Sequence, residues 1–74
     1  MKINRAVKRF GKAIQEIRKN RQMSIEAFAL ELGIDAAYLS RIERGQKNIS
    51  LSTAAKIADS LGIEISFGDW KLTR

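Results

Sequence analysis

The chain has 74 residues and contains no Cys, His or Pro. That length limits it to one small domain, 1–74, whose modest core would gain from oligomerisation, and the composition excludes disulfide staples, thiolate chemistry and the usual zinc-ligand sets. The net charge of +6 is uneven: residues 1–21 carry eight basic residues against one acid, residues 22–74 six against seven, and such a concentration suggests an anionic partner or, more plainly, a solubilising helix face.

No apolar run approaches the roughly 18 residues of a membrane span, and the basic start lacks the apolar segment of a signal peptide. No membrane partner is therefore expected, and the lack of Cys fits a cytoplasmic location. The spacing predicts a first helix over 4–21. Val7, Phe10, Ile14 and Ile17 recur at intervals of three and four in one apolar stripe, which Ile3 extends. Arg5, Lys8, Arg9, Lys12 and Lys19 fall mainly off that stripe, facing phosphate or solvent. Asn20-Arg21-Gln22 ends the helix.

Residues 24–45 predict two short helices joined by a tight turn. Ser24 is a natural N-cap for the first and Gly33 its left-handed terminator; Asp35 and Gly45 play the same parts for the second. Two helices joined by a three- or four-residue turn containing Gly describe a helix-turn-helix. Phe28, Leu32, Ile34, Leu39 and Ile42 face one shared core, and Ala29 stands where the helices must come close. A loop at 46–50 follows, and Ser50 caps a fourth helix over 51–61. Its apolar side is Leu51, Ala54, Ala55, Ile57, Ala58 and Leu61, and Gly62 ends it. The tail, 64–74, has two readings. Ser66-Phe67-Gly68-Asp69 has capping-box spacing for a short fifth helix carrying Trp70 and Leu72, the slightly favoured reading. Ile65 and Phe67 alternating with Glu64 and Ser66 describe a strand. The acids form no clustered pair with a recognisable partner, and there is no His for a triad and no Gly-rich phosphate loop. No enzyme, catalytic residue, cofactor or metal site is expected.

Ala29, Gly33, Leu39 and Ile42, with the run Tyr38-Leu39-Ser40-Arg41-Ile42-Glu43-Arg44-Gly45, resemble the lambda-repressor-like (Cro/cI, or XRE) helix-turn-helix family over residues 8–63. The resemblance implies an all-α domain of four to five helices. It also implies that Arg18 forms a structural ion pair with Glu43, the glutamate of the Ile-Glu-Arg-Gly run, in preference to contacting DNA. Within the family, Lys47-Asn48-Ile49-Ser50 is similar to the Arg-Asn-Ile-Ser stretch of controller proteins of restriction–modification systems. Lys8-Arg9-Phe10-Gly11-Lys12 and Ile17-Arg18-Lys19 are similar to their first helix. In those proteins the loop holding the counterpart of Lys47 reaches DNA.

A helix-turn-helix lays its second helix in the major groove with its N-terminal residues at the base edges. By the family pattern Asp35, Ala36, Ala37 and Arg41 would face bases. Arg41 can fork onto O6 and N7 of guanine, while alanine can only touch a thymine methyl. Direct readout is therefore thin, and DNA shape would add specificity. Ile25 stands where the family usually has Gln and is expected to pack at the core. Ser24, Tyr38, Ser40, Arg44, Lys47 and Asn48 are candidates for the DNA backbone; Tyr38 could equally pack its ring on the domain surface. Together these residues describe a transcriptional regulator that binds double-stranded DNA as a homodimer on a near-palindromic operator, with RNA polymerase as a further partner. The tail residues Ile65, Phe67, Trp70 and Leu72 would form the dimer interface. The alternative is an antitoxin that neutralises a toxin partner and represses its own promoter.

Overall fold

The computed structural model describes residues 5–63 in full, and the backbone of 65–67 and 70–72. Four helices run in order: α1 (Arg5–Asn20), α2 (Ile25–Leu32), α3 (Ala36–Glu43) and α4 (Leu51–Leu61). Short polar caps open three of them. Ser24 Oγ accepts the Ala27 N–H at 3.0 Å, and Ser50 Oγ accepts the Thr53 N–H at 3.1 Å. Asp35 Oδ2 accepts from both Ala37 (3.0 Å) and Tyr38 (3.2 Å). Gly33 ends α2 with φ of 72°, where a Cβ would be penalised. The Gly33-Ile34-Asp35 turn that follows holds α2 against α3. α1 ends differently: the left-handed residue is Gln22, at φ 57°, and no glycine is available there.

The core holds Phe10 and Ile14 of α1, Phe28 and Ala29 of α2, Leu39 and Ile42 of α3, and Ala54, Ile57 and Ala58 of α4. Ile17, Ile25, Leu32, Ile34 and Leu61 pack around its rim. Leu51 departs from expectation: it is 52% exposed, since it opens α4 beside a cleft of about 270 Å³ lined by Ala6, Val7, Phe10 and Ile49. Ala29 is buried between the helices, but the tightest approach is at Gly11. A Cβ there would overlap the carbonyl oxygen of Ile42 and lie 3.2 Å from that of Glu43. Gly11 thus lets the backbone of α1 rest on the last turn of α3.

The tail corrects the expectation of a fifth helix. Strands β1 (Ile65–Phe67) and β2 (Trp70–Leu72) pair antiparallel, with Ile65 opposite Leu72, Ser66 opposite Lys71 and Phe67 opposite Trp70. A helix through Gly68 would lose about 1 kcal/mol of propensity. The hairpin register instead leaves two residues, Gly first, between flanks of β-branched and aromatic residues. The side chains of 64–74 lie outside the described residues.

Candidate nucleic-acid interface

The two faces of α3 divide sharply. Leu39, Ile42 and Glu43 are buried, whereas Ala37, Arg41 and Arg44 are exposed along the opposite stripe, with Ala36, Tyr38 and Ser40 at the borders. Ala37 and Arg41 are one turn apart, so they project together. No hydrogen bond or ion pair holds the Arg41, Arg44 or Asn48 side chain among the described residues. Each is free to reach outward. Asp35 is placed differently from the other three base-facing candidates. Its carboxylate is engaged with the first amides of α3, where the helix dipole favours a negative charge. Ser24 is likewise engaged as a cap, at the exposed start of α2.

The Arg18–Glu43 pair fixes how this face is presented. Arg18 Nε donates to Glu43 Oε2 at 2.8 Å and Nη2 to Oε1 at 3.0 Å; its third donor, Nη1, reaches the Met23 carbonyl at 3.0 Å. The side chains are 14% and 2% exposed. The hydrogen bond to Glu43 raises the Arg18 guanidinium above its usual range, against the opposing effect of burial. A planar fork meets a planar carboxylate, and α1 is locked to the last turn of α3. No described buried side-chain polar atom lacks a partner.

The pairing also reduces the apparent basic excess of the first helix and the turn after it. Arg18 is neutralised by Glu43, and Arg21 Nη1 lies 2.7 Å from Glu31 Oε2 while its guanidinium sits 5.9 Å from the Phe28 ring centroid. Arg5, Lys8, Arg9, Lys12 and Lys19 remain exposed. Lys8 packs its stem on the turn after α3: a Cβ on Gly45, at φ 68°, would come within 2.9 Å of Lys8 Cγ. Ile25 is half-buried at the core rim, as its apolar side chain requires.

Two features escaped sequence reasoning. Gly11 could have been found: it lies on the Val7–Ile14 stripe, and a glycine inside a strong helical pattern usually has a packing reason. The Lys47 ammonium stands 5.7 Å from the Tyr38 ring centroid, bringing two backbone-contact candidates together. No linear signal marks that contact, because the turn between α3 and α4 decides it. Among the described residues, no group of three or more acids could hold a metal ion, and no helix is long and apolar enough to cross a membrane.

Comparison with known proteins places this geometry. The helix-turn-helix family pattern matches residues 14–67. The chain is 41% identical over 59 residues to the control protein C.MunI of a Mycoplasma species, covering 78% of this chain and 80% of that one. It is 39% identical over 56 residues to the control protein C.BamHI of Bacillus amyloliquefaciens, covering 74% and 69%. The crystal structure of the restriction-modification controller protein C.AhdI from Aeromonas hydrophila superposes with a TM-score of 0.65 at 40% identity, covering 78% of this chain and 86% of that one. With a capped, outward-facing α3 and a family match over most of its length, the chain belongs to the XRE-like helix-turn-helix family of DNA-binding proteins.

Proposed function

We propose that this protein is a sequence-specific transcriptional regulator that binds a near-palindromic operator as a homodimer and controls a restriction–modification system. The observation that carries the DNA-binding reading is the exposed Ala37–Arg41 stripe of α3, with Arg44, Lys47 and Asn48 following it in sequence. Laid in the major groove, α3 would put Arg41 on guanine O6 and N7, and Ala36 and Ala37 against thymine methyls. Arg44, Lys47, Asn48, the Ser40 hydroxyl and the first amides of α2 beside Ser24 would hold phosphates. Likeness to two control proteins supports the controller reading over the antitoxin alternative.

The dimer reading rests on the tail, 64–74. An isolated two-stranded hairpin is marginal in water, and the two strands of this one carry the apolar residues Ile65, Phe67, Trp70 and Leu72. A homodimer on a near-palindromic operator would present its two α3 helices to half-sites about 34 Å apart, one turn of DNA. Regulation would follow from occupying a promoter, with RNA polymerase blocked or touched, in the cytoplasm. The test is selection of bound duplexes from a random library at near-physiological salt. A two-fold symmetric motif supports the reading. Salt-sensitive binding with no enriched motif would replace it with nonspecific binding. A concentration-independent monomer mass in sedimentation would remove the dimer.

A further inference from the structure

We infer that the Tyr38 ring is a seat that positions Lys47 for a DNA phosphate, so that Tyr38 acts through its aromatic face and not through its hydroxyl. The inference rests on the DNA-binding reading above. Tyr38 lies in the first turn of α3 and is half-buried, packed against the core, so the ring itself is held. Lys47 lies in the turn after α3, and its ammonium stands 5.7 Å from the ring centroid. That is within the roughly 6 Å over which a ring face attracts a cation.

The choice of partner matters. A lysine carries four rotatable bonds, and holding it costs rotamer entropy that DNA binding would otherwise have to supply. A carboxylate would hold it too, but would cancel its charge and have to be displaced by phosphate. A ring face restrains the ammonium, leaves its formal charge intact and leaves N–H donors on the far side. Arg21 shows the contrast within the same molecule: it also sits over a ring, that of Phe28, but Glu31 pairs it at 2.7 Å. No carboxylate pairs Lys47 among the described residues. Lys47 is thus pre-positioned and still cationic, whereas Arg41, Arg44 and Asn48 must be ordered by the DNA.

The experiment is a double-mutant cycle on full-length protein, with Tyr38→Phe, Tyr38→Leu, Lys47→Met and the double variant that combines the last two. Binding is measured by anisotropy on a labelled duplex carrying the selected motif, or a mixed-sequence duplex if none is enriched. Tyr38→Phe, which keeps the ring face, should lose less binding than Tyr38→Leu. Tyr38→Leu should weaken binding by about 2–5-fold when Lys47 is present and not at all in the Lys47→Met background. Equal losses in the Phe and Leu variants would assign the contact to the hydroxyl and overturn the seat. So would a Leu effect that is absent, or one that persists unchanged in the Lys47→Met background. In the free wild type and Tyr38→Phe, the Lys47 ε-methylene protons should be ring-current shifted in NMR spectra. Random-coil positions there would overturn the seat whether or not the Leu variant folds. Absence of salt-sensitive duplex binding by the wild type would instead remove the DNA-binding reading.

Discussion

Removing Arg18 tests the tie between the first helix and the last turn of α3. Arg18→Met leaves the Glu43 carboxylate, 2% exposed, without its cation and without either of its charged donors. Breaking one half of a buried pair costs about 3–5 kcal/mol. Total stability for a chain this short is roughly 4–11 kcal/mol, so the loss is a large fraction of the whole. The two partners are unequal. Glu43→Leu leaves Arg18 at 14% exposure with its bond to the Met23 carbonyl, and should cost less than Arg18→Met. The double variant should cost less than the sum, because an apolar pair can replace a buried ion pair. Urea unfolding followed by circular dichroism measures all three. A loss below about 1 kcal/mol for Arg18→Met, the range of a surface pair, would refute the reasoning. The raised Arg18 guanidinium contributes below its unfolded value and loses that contribution only as pH rises through the higher folded value. The penalty should therefore be the same at neutral and mildly alkaline pH.

Three further expectations concern single positions. Gly11→Ala would gain about 1 kcal/mol of helix propensity on an exposed surface; here the new Cβ meets backbone at Ile42 that cannot rotate away, and a net loss of about 1–3 kcal/mol is expected in thermal unfolding. A more stable variant would mean that α1 and α3 are not in close contact. Gln22→Gly should leave stability unchanged or raise it by up to about 1 kcal/mol, since it relieves a left-handed residue at the price of a looser unfolded chain; a clear loss would place Gln22 in another conformation. Arg41→Ala should cost about 1–3 kcal/mol on the selected duplex and relax preference at one base pair. Equal loss on every sequence would make Arg41 a phosphate contact.

Much of the helical architecture was legible in the linear chain because its signals are local. Ser24, Asp35 and Ser50 open helices, and Gly33 and Gly62 close them, through bonds that span only a few residues. The alternating exposure of α3 follows from its 3.6-residue period, so Arg41 could be picked out as outward before any packing was known. Family likeness, not spacing, named Arg18 and Glu43 as partners across 25 positions. The tail was ambiguous for a physical reason. A short segment holding Gly68 has weak intrinsic preference, and cross-strand pairing rather than local propensity decided between helix and hairpin.

What the sequence determined by itself was therefore the set of helices, their caps and the outward stripe of α3, all governed by contacts a few residues apart. Only the tertiary structure decided which pieces of that pattern meet. It put Gly11 against the carbonyls of α3, left Leu51 at a cleft instead of in the core, and paired Arg21, one of the basic residues of the first segment, with Glu31. It also carried Lys47 back onto the Tyr38 ring. Those outcomes depend on the path of a turn and on how closely two backbones approach, and neither is encoded in the period of any single helix.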